Sequence, residues 1–291
     1  MIRHATEGDI IQLKTLWDQS FEDPLSYIDF IYEKVARPAD TLVYDIGGGT
    51  VVSMMTLIPM HFVFQSKAVR TMYIYGAATD KKYQKQGFMA ALLKYAEDYA
   101  KNLDFKLSVL VPGEKHLFDY YRRRGYSADF NCRVLKVRPG MISQEIIPDA
   151  DVQVDTVAPE HFYKMRKDAL AEIPHIEWNV RQIGFVFEDL RLYGEHIAHY
   201  EGRYGESYAV YGMAKKNMYI KECFGTSNDA RLAAIKDIIQ KNDPKDVRIQ
   251  LHVNSKLFDE EGKLVKYGMA KPLTVNASIK DMDPYMNLMM D

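Results

Sequence analysis

Cysteine is scarce in this chain, with two in 291 residues. Cys132 and Cys223 sit in stretches that read as strands and lack the Cys or His spacing of a metal site. They read as buried free thiols of a reducing compartment, and no metal is expected. Net charge is nearly absent as well, because 38 Lys+Arg face 40 Asp+Glu. That balance argues against a nucleic-acid partner, whose phosphates are bound through basic surface. Long apolar runs are missing too. None approaches the roughly 20 residues needed to span a bilayer, and Met1-Ile2-Arg3-His4-Ala5-Thr6 has no apolar signal core. No membrane partner is expected, and the cytoplasm is the expected location.

What is present is an ordinary globular balance, 47% hydrophobic and 27% charged, in a chain too long for one small core. Thr6-Glu7-Gly8-Asp9 offers a helix start, followed by Ile10, Ile11, Leu13, Leu16 and Trp17 at helical spacing. Pro24 to Ala36 reads as a second helix. Strand-like runs follow at 41–45 and 51–64. The Gly47-Gly48-Gly49 between them lacks the Lys-Ser/Thr and helix of a phosphate loop, so it reads as a hairpin turn. Met72 to Thr79 reads as a strand, Asp80 to Gln86 as a polar loop and Gly87 to Asn102 as a helix. A strand at 107–111 halts at Pro112-Gly113, and a helix from about Glu114 to Arg124 ends at Gly125. Tyr126 to Val137 completes this half, and the stretch from Pro139 to Ala150 reads as a linker.

The segment Thr79 to Leu93 carries chemistry. A strand entering a glycine turn and then a helix is an anion-binding device, because the first helical amides lack partners and the helix dipole is positive there. Glycine lets the backbone approach a phosphate closely. Three features together resemble the GCN5-related N-acetyltransferase (GNAT) superfamily: the opening Ile-Arg-x-Ala-x-x-x-Asp-Ile, this strand–loop–helix, and Tyr121-Arg122-Arg123-Arg124-Gly125-Tyr126. Gln84-x-x-Gly87-x-Met89 matches the first two fixed positions of the family's Arg/Gln-x-x-Gly-x-Gly/Ala loop and departs at the third. The resemblance covers residues 1 to about 138.

It implies an α/β (α+β) fold and acetyl-CoA as acyl donor to a small-molecule primary amine. Backbone groups of Ala77, Ala78 and Thr79 would pair with the pantetheine arm, and the loop Gln84, Lys85, Gln86, Gly87, Phe88, Met89 and Ala90 would hold the pyrophosphate. Tyr121 occupies the family's general-acid position. Glu114 and His116 read as helix-start residues rather than the base, and Arg122-Arg123-Arg124 as a solvated basic face. The aromatics Trp17, Phe21, Tyr27, Phe30 and Tyr32 read as core before they read as an acceptor pocket.

The second half repeats the strand–helix–strand succession from Tyr208 to Val253. Its turn, Phe224 to Asp229, lacks the loop motif and puts an acid at the helix start, so no cofactor is assigned there. The expected organisation is two GNAT-like domains, 1–140 and 150–291, each a mixed sheet flanked by helices. This is similar to the enhanced-intracellular-survival type of acetyltransferase, in which a degenerate copy walls the acceptor site. That resemblance also implies the C-terminal carboxylate, Asp291, as a base. Two other readings stay open: a non-catalytic CoA- or ligand-sensing module, and an aminoacyl-tRNA-dependent transferase.

Overall fold

The computed structural model describes every residue except 139, 141, 143, 144, 259, 260, 275–277 and 291. It divides into two compact units. The first comprises 1–62, 68–127 and 269–279, and the second comprises 63–67, 128–268 and 280–291. The units do not follow the linear order assumed for halves 1–140 and 150–291. The strand expected to close the first half pairs within the second unit from residue 128 onward, and a late segment returns to the first.

Unit 1 begins with β1 (Ile2–His4), α1 (Ile10–Ser20) and α2 (Leu25–Phe30). The helix read over 24–36 continues past Phe30 as a π-turn, with Ala36 N–H donating to the Ile31 carbonyl five residues back at 2.8 Å. β2 (Thr41–Asp45) and β3 (Val51–Phe64) pair antiparallel, and Gly47–Gly49, all at positive φ, make their hairpin turn. Then come β4 (Lys67–Thr79), α3 (Phe88–Asn102), β5 (Leu107–Leu110) and α4 (Leu117–Arg122). The strand order is β1-β2-β3-β4-β5, and Met269–Pro272 adds to the far side of β5. β4 and β5 are parallel, in register from Thr71↔Leu107 to Ile74↔Leu110. α3 is the crossover between them, and its buried Leu92, Leu93, Ala96 and Ala100 follow helical spacing. Each fully buried Leu contributes about 2 kcal/mol by area transfer.

Unit 2 contains β6 (Ser127–Val137) from residue 128, β7 (Gln153–Val154), α5 (Pro159–Ala169), β8 (His175–Glu177) and α6 (Val180–Leu192). It continues with β9 (His196–Gly202), β10 (Gly205–Ala214), β11 (Asn217–Gly225), α7 (Asn228–Asn242), β12 (Asp246–His252) and the start of β13 (Lys263–Pro272). Its strand order is β6-β12-β11-β10-β9-β7. β11 and β12 pair in parallel, joined by α7. Each unit therefore holds a β–α–β crossover within an otherwise mostly antiparallel sheet. Both cysteines are buried thiols outside any disulfide. Among the described residues, no helix is long and apolar enough to cross a membrane.

One position in unit 1 governs the shape of β4. Gly76 sits at φ +56 within the strand, and a Cβ there would lie 2.4 Å from Cζ3 of Trp17. Trp17 is buried among Phe21, Tyr27, Tyr32 and Tyr75, with ring centroids 5.0–6.4 Å away. The aromatic residues of the first two helices are thus mainly core, and only Phe21 keeps moderate exposure. Gly76→Ala combines a left-handed backbone conformation with an overpacked core. We expect it to cost roughly 2–4 kcal/mol, read as a lower urea midpoint at unchanged slope; a cost below about 0.5 kcal/mol would contradict the clash.

Candidate active site

β4 outruns β5. The parallel ladder ends at Ile74 and Leu110, while β4 runs on to Thr79 and β5 stops. On the β3 side these last residues are engaged. The Ala78 carbonyl accepts from Ser53 Oγ at 3.0 Å, and Asp80 N–H donates to the Val52 carbonyl at 3.0 Å. Backbone groups alternate sides along a strand, so Ala77 and Thr79 turn theirs to the opposite edge, which β5 no longer covers. Of the three residues expected to offer backbone to a pantetheine arm, two face that edge and Ala78 faces β3.

The loop after β4 is built to leave amides free. Asp80 accepts from Lys82 N–H at 2.8 Å, which starts a single 3-10 turn over Lys81–Tyr83. The Gln84 side chain donates to the Thr79 carbonyl at 3.3 Å, and that of Gln86 to the Lys82 carbonyl at 3.2 Å. Lys85 then takes φ +63 and Gly87 φ +90. A left-handed lysine is sterically costly by about 1 kcal/mol or more, and such strain concentrates at functional turns. Gly87 is the N-cap of α3 and has no side chain to cap it, and the first turn contains no acid. The first helical hydrogen bond runs from Ala91 to Gly87 at 3.0 Å. Phe88, Met89 and Ala90 therefore sit in the turn whose amides lack an i−4 partner. Lys81, Lys82 and Lys85 lie exposed around it. The result is a concave set of N–H groups at a positive helix end.

α4 follows β5 as α3 follows β4. Because β4 and β5 are parallel, both helices start from the same edge of the sheet. The helix expected from Glu114 begins only at Leu117, after a turn in which Leu117 N–H donates to the Glu114 carbonyl at 3.0 Å. Glu114 and His116 lie exposed in that turn, paired at 3.1 Å. Tyr121 differs from both. It keeps 8% exposure, packs against the rings of Tyr120 and Tyr126 at 5.2 and 5.8 Å, and its hydroxyl has no hydrogen-bond partner among the described residues. The neighbouring Tyr126 hydroxyl is engaged with Ser108 Oγ at 2.8 Å. Tyr120 is half-buried and stacks under the Arg124 guanidinium, 3.5 Å from its ring centroid. Burial pushes the Tyr121 phenol well above its ordinary value and Tyr120 adds to the shift, while the Arg124 charge opposes it. The phenol is held protonated.

A pairing that the sequence did not reveal anchors this corner. Lys271, from the returning segment, donates to both carboxylate oxygens of Glu97 on α3 and to the Arg124 carbonyl at the end of α4, each at 2.7 Å. Unit 2 has a different arrangement at its own parallel pair. Ser227 caps α7, accepting from Ala230 N–H at 3.0 Å, and Asp229 lies in the first turn. Asn287 donates to the Lys221 carbonyl on β11 and accepts from Gln250 on β12 at 3.0 Å. A cleft of about 690 Å³ opens beside it, lined by Arg231, Gln250, His252, Asn254 and Tyr285 among others. Asp291 lies outside the described residues.

Residues 1–128 match the acetyltransferase (GNAT) domain family, and that segment of the chain belongs to it. Domains of this family generally use acyl-CoA donors, so the class of chemistry is acyl transfer. No curated protein matches by sequence. Solved structures share the fold over nearly the whole chain. A GCN5-related N-acetyltransferase from Anabaena variabilis superposes with TM-score 0.74 at 16% identity, covering 94% of this chain and 73% of that one. One from Kribbella flavida gives 0.73 at 16%, covering 94% and 72%. Eis1 from Mycobacterium abscessus gives 0.72 at 10%, covering 95% and 75%.

The buried phenols of unit 1 set an alkaline limit. Burial raises Tyr32, Tyr121 and Tyr126 above the usual tyrosine value. The unfolded chain therefore loses these protons first, and the stability they confer is complete below the unfolded pKa and lost above it. The urea midpoint should hold up to about pH 9.5 and fall above about pH 10. If absorbance titration of the folded protein showed all 20 tyrosines ionising together near the ordinary value, the burial argument would fail.

Proposed function

We propose that unit 1 moves the acetyl group of acetyl-CoA to a small primary amine by direct attack on the thioester. One observation carries the reading. The carboxyl ends of the parallel strands β4 and β5 lead, at one sheet edge, to an uncapped helix start and to a buried phenol with an unengaged hydroxyl. The first group suits a pyrophosphate, the second a leaving thiolate.

In this mechanism the free edge of β4 at Ala77 and Thr79 takes the pantetheine amides as an added strand. The amides from Gln84 to Ala90 take the pyrophosphate, and Met89 contributes its N–H with its side chain half-exposed. The amine nitrogen attacks the thioester carbon, and the Thr79 backbone amide on the free edge stabilises the oxyanion, since Ala78 faces β3. The C–S bond then breaks, and Tyr121 gives its phenolic proton to the thiolate, whose parent thiol has a pKa near 8.5 if cysteine-like. Arg124 eases that transfer because its charge favours the phenolate. The nitrogen loses its own proton to solvent or a base, a role for which Asp291 is one candidate.

Unit 2 is read as a degenerate copy that binds no CoA. Support comes from its matching crossover, its capped α7 with Asp229 in the first turn, and Asn287 lying between β11 and β12. With no helix that could cross a membrane among the described residues, a soluble cytoplasmic enzyme is the setting we infer.

Two measurements test this reading together: acetyl-CoA binding by calorimetry, and thiol release over a panel of amines. Binding should occur, and Gly87→Ala should weaken it about tenfold, because a left-handed alanine costs about 1 kcal/mol and shifts the amides. Tyr121→Phe should leave binding intact and lower kcat by about a hundredfold. Failure to bind acetyl-CoA would sink the proposal. Binding without turnover across the panel would favour a CoA-sensing module, and unchanged kcat in Tyr121→Phe would remove the phenol from its role.

A further inference from the structure

Unit 2 gathers two imidazoles and a carboxylate that the acyl-transfer reading does not use. His161 comes from the first turn of α5, His199 from β9 and Glu206 from β10. Both histidines aim Nε2 at the same carboxylate oxygen: His161 lies 2.5 Å and His199 2.8 Å from Glu206 Oε1. The rings are 5.5 Å apart at a steep angle, and one ligand atom from each residue lies within 4.8 Å of the other two. The other carboxylate oxygen, Oε2, has no hydrogen-bond partner among the described residues.

From this geometry we propose that His161, His199 and Glu206 form a binding site for a divalent transition-metal ion, for which zinc is the probe. Two neutral imidazoles and one carboxylate are a ligand set that zinc takes readily, leaving a fourth position for water. Tetrahedral zinc with bonds near 2.0–2.2 Å separates its ligand atoms by about 3.3 Å. The present spacings of 2.5 and 2.8 Å need to open by less than 1 Å, roughly the scale of a side-chain torsion adjustment. The side chains are 45%, 15% and 25% exposed for His161, His199 and Glu206, so an ion can enter from solvent.

The consequence is a clip. His199 and Glu206 belong to one hairpin, in which Tyr208 faces His199 and Ser207 faces Tyr200. His161 adds the helix that otherwise meets this hairpin through the Phe162–Tyr208 ring contact at 4.3 Å. An ion would tie α5 to the β9–β10 hairpin at a second point. Histidine and carboxylate ligands also accept Co²⁺, Ni²⁺ and Cu²⁺, with Cu²⁺ held most tightly by the usual order of divalent affinities.

The test uses the full chain stripped with a chelator and then dialysed. Wild-type protein should take up one equivalent of Zn²⁺, show the intense visible bands of tetrahedral Co²⁺, and melt several degrees higher with Zn²⁺ in excess of Kd. Glu206→Gln should weaken Zn²⁺ binding by about tenfold or more, and His161→Ala should abolish the Co²⁺ bands. His161 is exposed enough for its removal to leave the fold intact, which circular dichroism of the same sample checks. Absence of Co²⁺ bands in the wild type, or Zn²⁺ uptake by His161→Ala and His199→Ala equal to that of the wild type, would overturn the proposal and leave a hydrogen-bonded cluster only.

Discussion

The close approach of Trp17 to Gly76 is the constraint on which the rest of unit 1 turns. The indole occupies the space where any other residue would put a Cβ, so position 76 must be glycine, and its positive φ kinks β4 two residues past its last pairing with β5. A kink of this sort redirects the strand. Beyond it, the end of β4 is paired on one edge through Val52 and Ser53 and uncovered on the other. An uncovered backbone edge is ordinarily a liability. Here it leads directly into the free amides at the start of α3, so the same local geometry that breaks the sheet leaves the edge that the proposed donor site uses. Packing of the first helix and preparation of the ligand edge are therefore one event.

Two β–α–β crossovers in one chain allow a controlled comparison. α3 starts at a left-handed glycine without a cap or an acid, whereas α7 starts at a serine that fills its amide and carries Asp229 in its first turn. The helix dipole points the same way in both. What differs is whether the chain satisfies that end itself. In unit 2 it does so through Ser227, while the Asn287 side chain separately spans β11 and β12. Asn287 is held by Tyr285, and the Tyr285 hydroxyl donates to Glu222, a fully buried carboxylate that also receives Arg166 and Tyr208. Burying that charge without partners would cost several kcal/mol. The network fixes the tail segment around Tyr285 and Asn287 in place.

Much of this was legible in the sequence, and the exceptions have physical reasons. The loop from Gln84 to Ala90 could be read because strand, glycine and amphipathic helix are consecutive, and local signals survive in a linear text. Its order of elements also made the superfamily resemblance specific. The free edge at Ala77 and Thr79 could be read only as a segment, since which residue faces which neighbour depends on the left-handed backbone that Gly76 adopts against a tryptophan far back in the chain. The start of α6 is marked by the capping box of Asn179 and Gln182 rather than by apolar periodicity. The cluster of His161, His199 and Glu206 had no readable spacing, because it is assembled from a helix and two strands. The unit boundary was placed by composition at the linker, and composition does not report that a later strand returns.

That return matters for the chemistry. Lys271 lies about 150 positions beyond Tyr121 in the chain, yet its ammonium grips the Arg124 carbonyl that ends α4 and the Glu97 carboxylate on α3. Glu97 sits on the buried face of α3 with Leu93 and Ala100, so a carboxylate there is tolerable only with a partner of opposite charge. Lys271 supplies that charge and uses a third bond to hold the last turn of the helix bearing Tyr121. The two helices that frame the proposed donor site, one through its amides and one through its phenol, are in this way fastened to a single side chain. A general acid must sit within hydrogen-bond reach of the atom it protonates, and a six-residue helix is too short to hold its own position by backbone bonding. The fixed distance between the uncapped turn at the start of α3 and the phenol therefore depends on a residue outside the first 128, the stretch that matches the family.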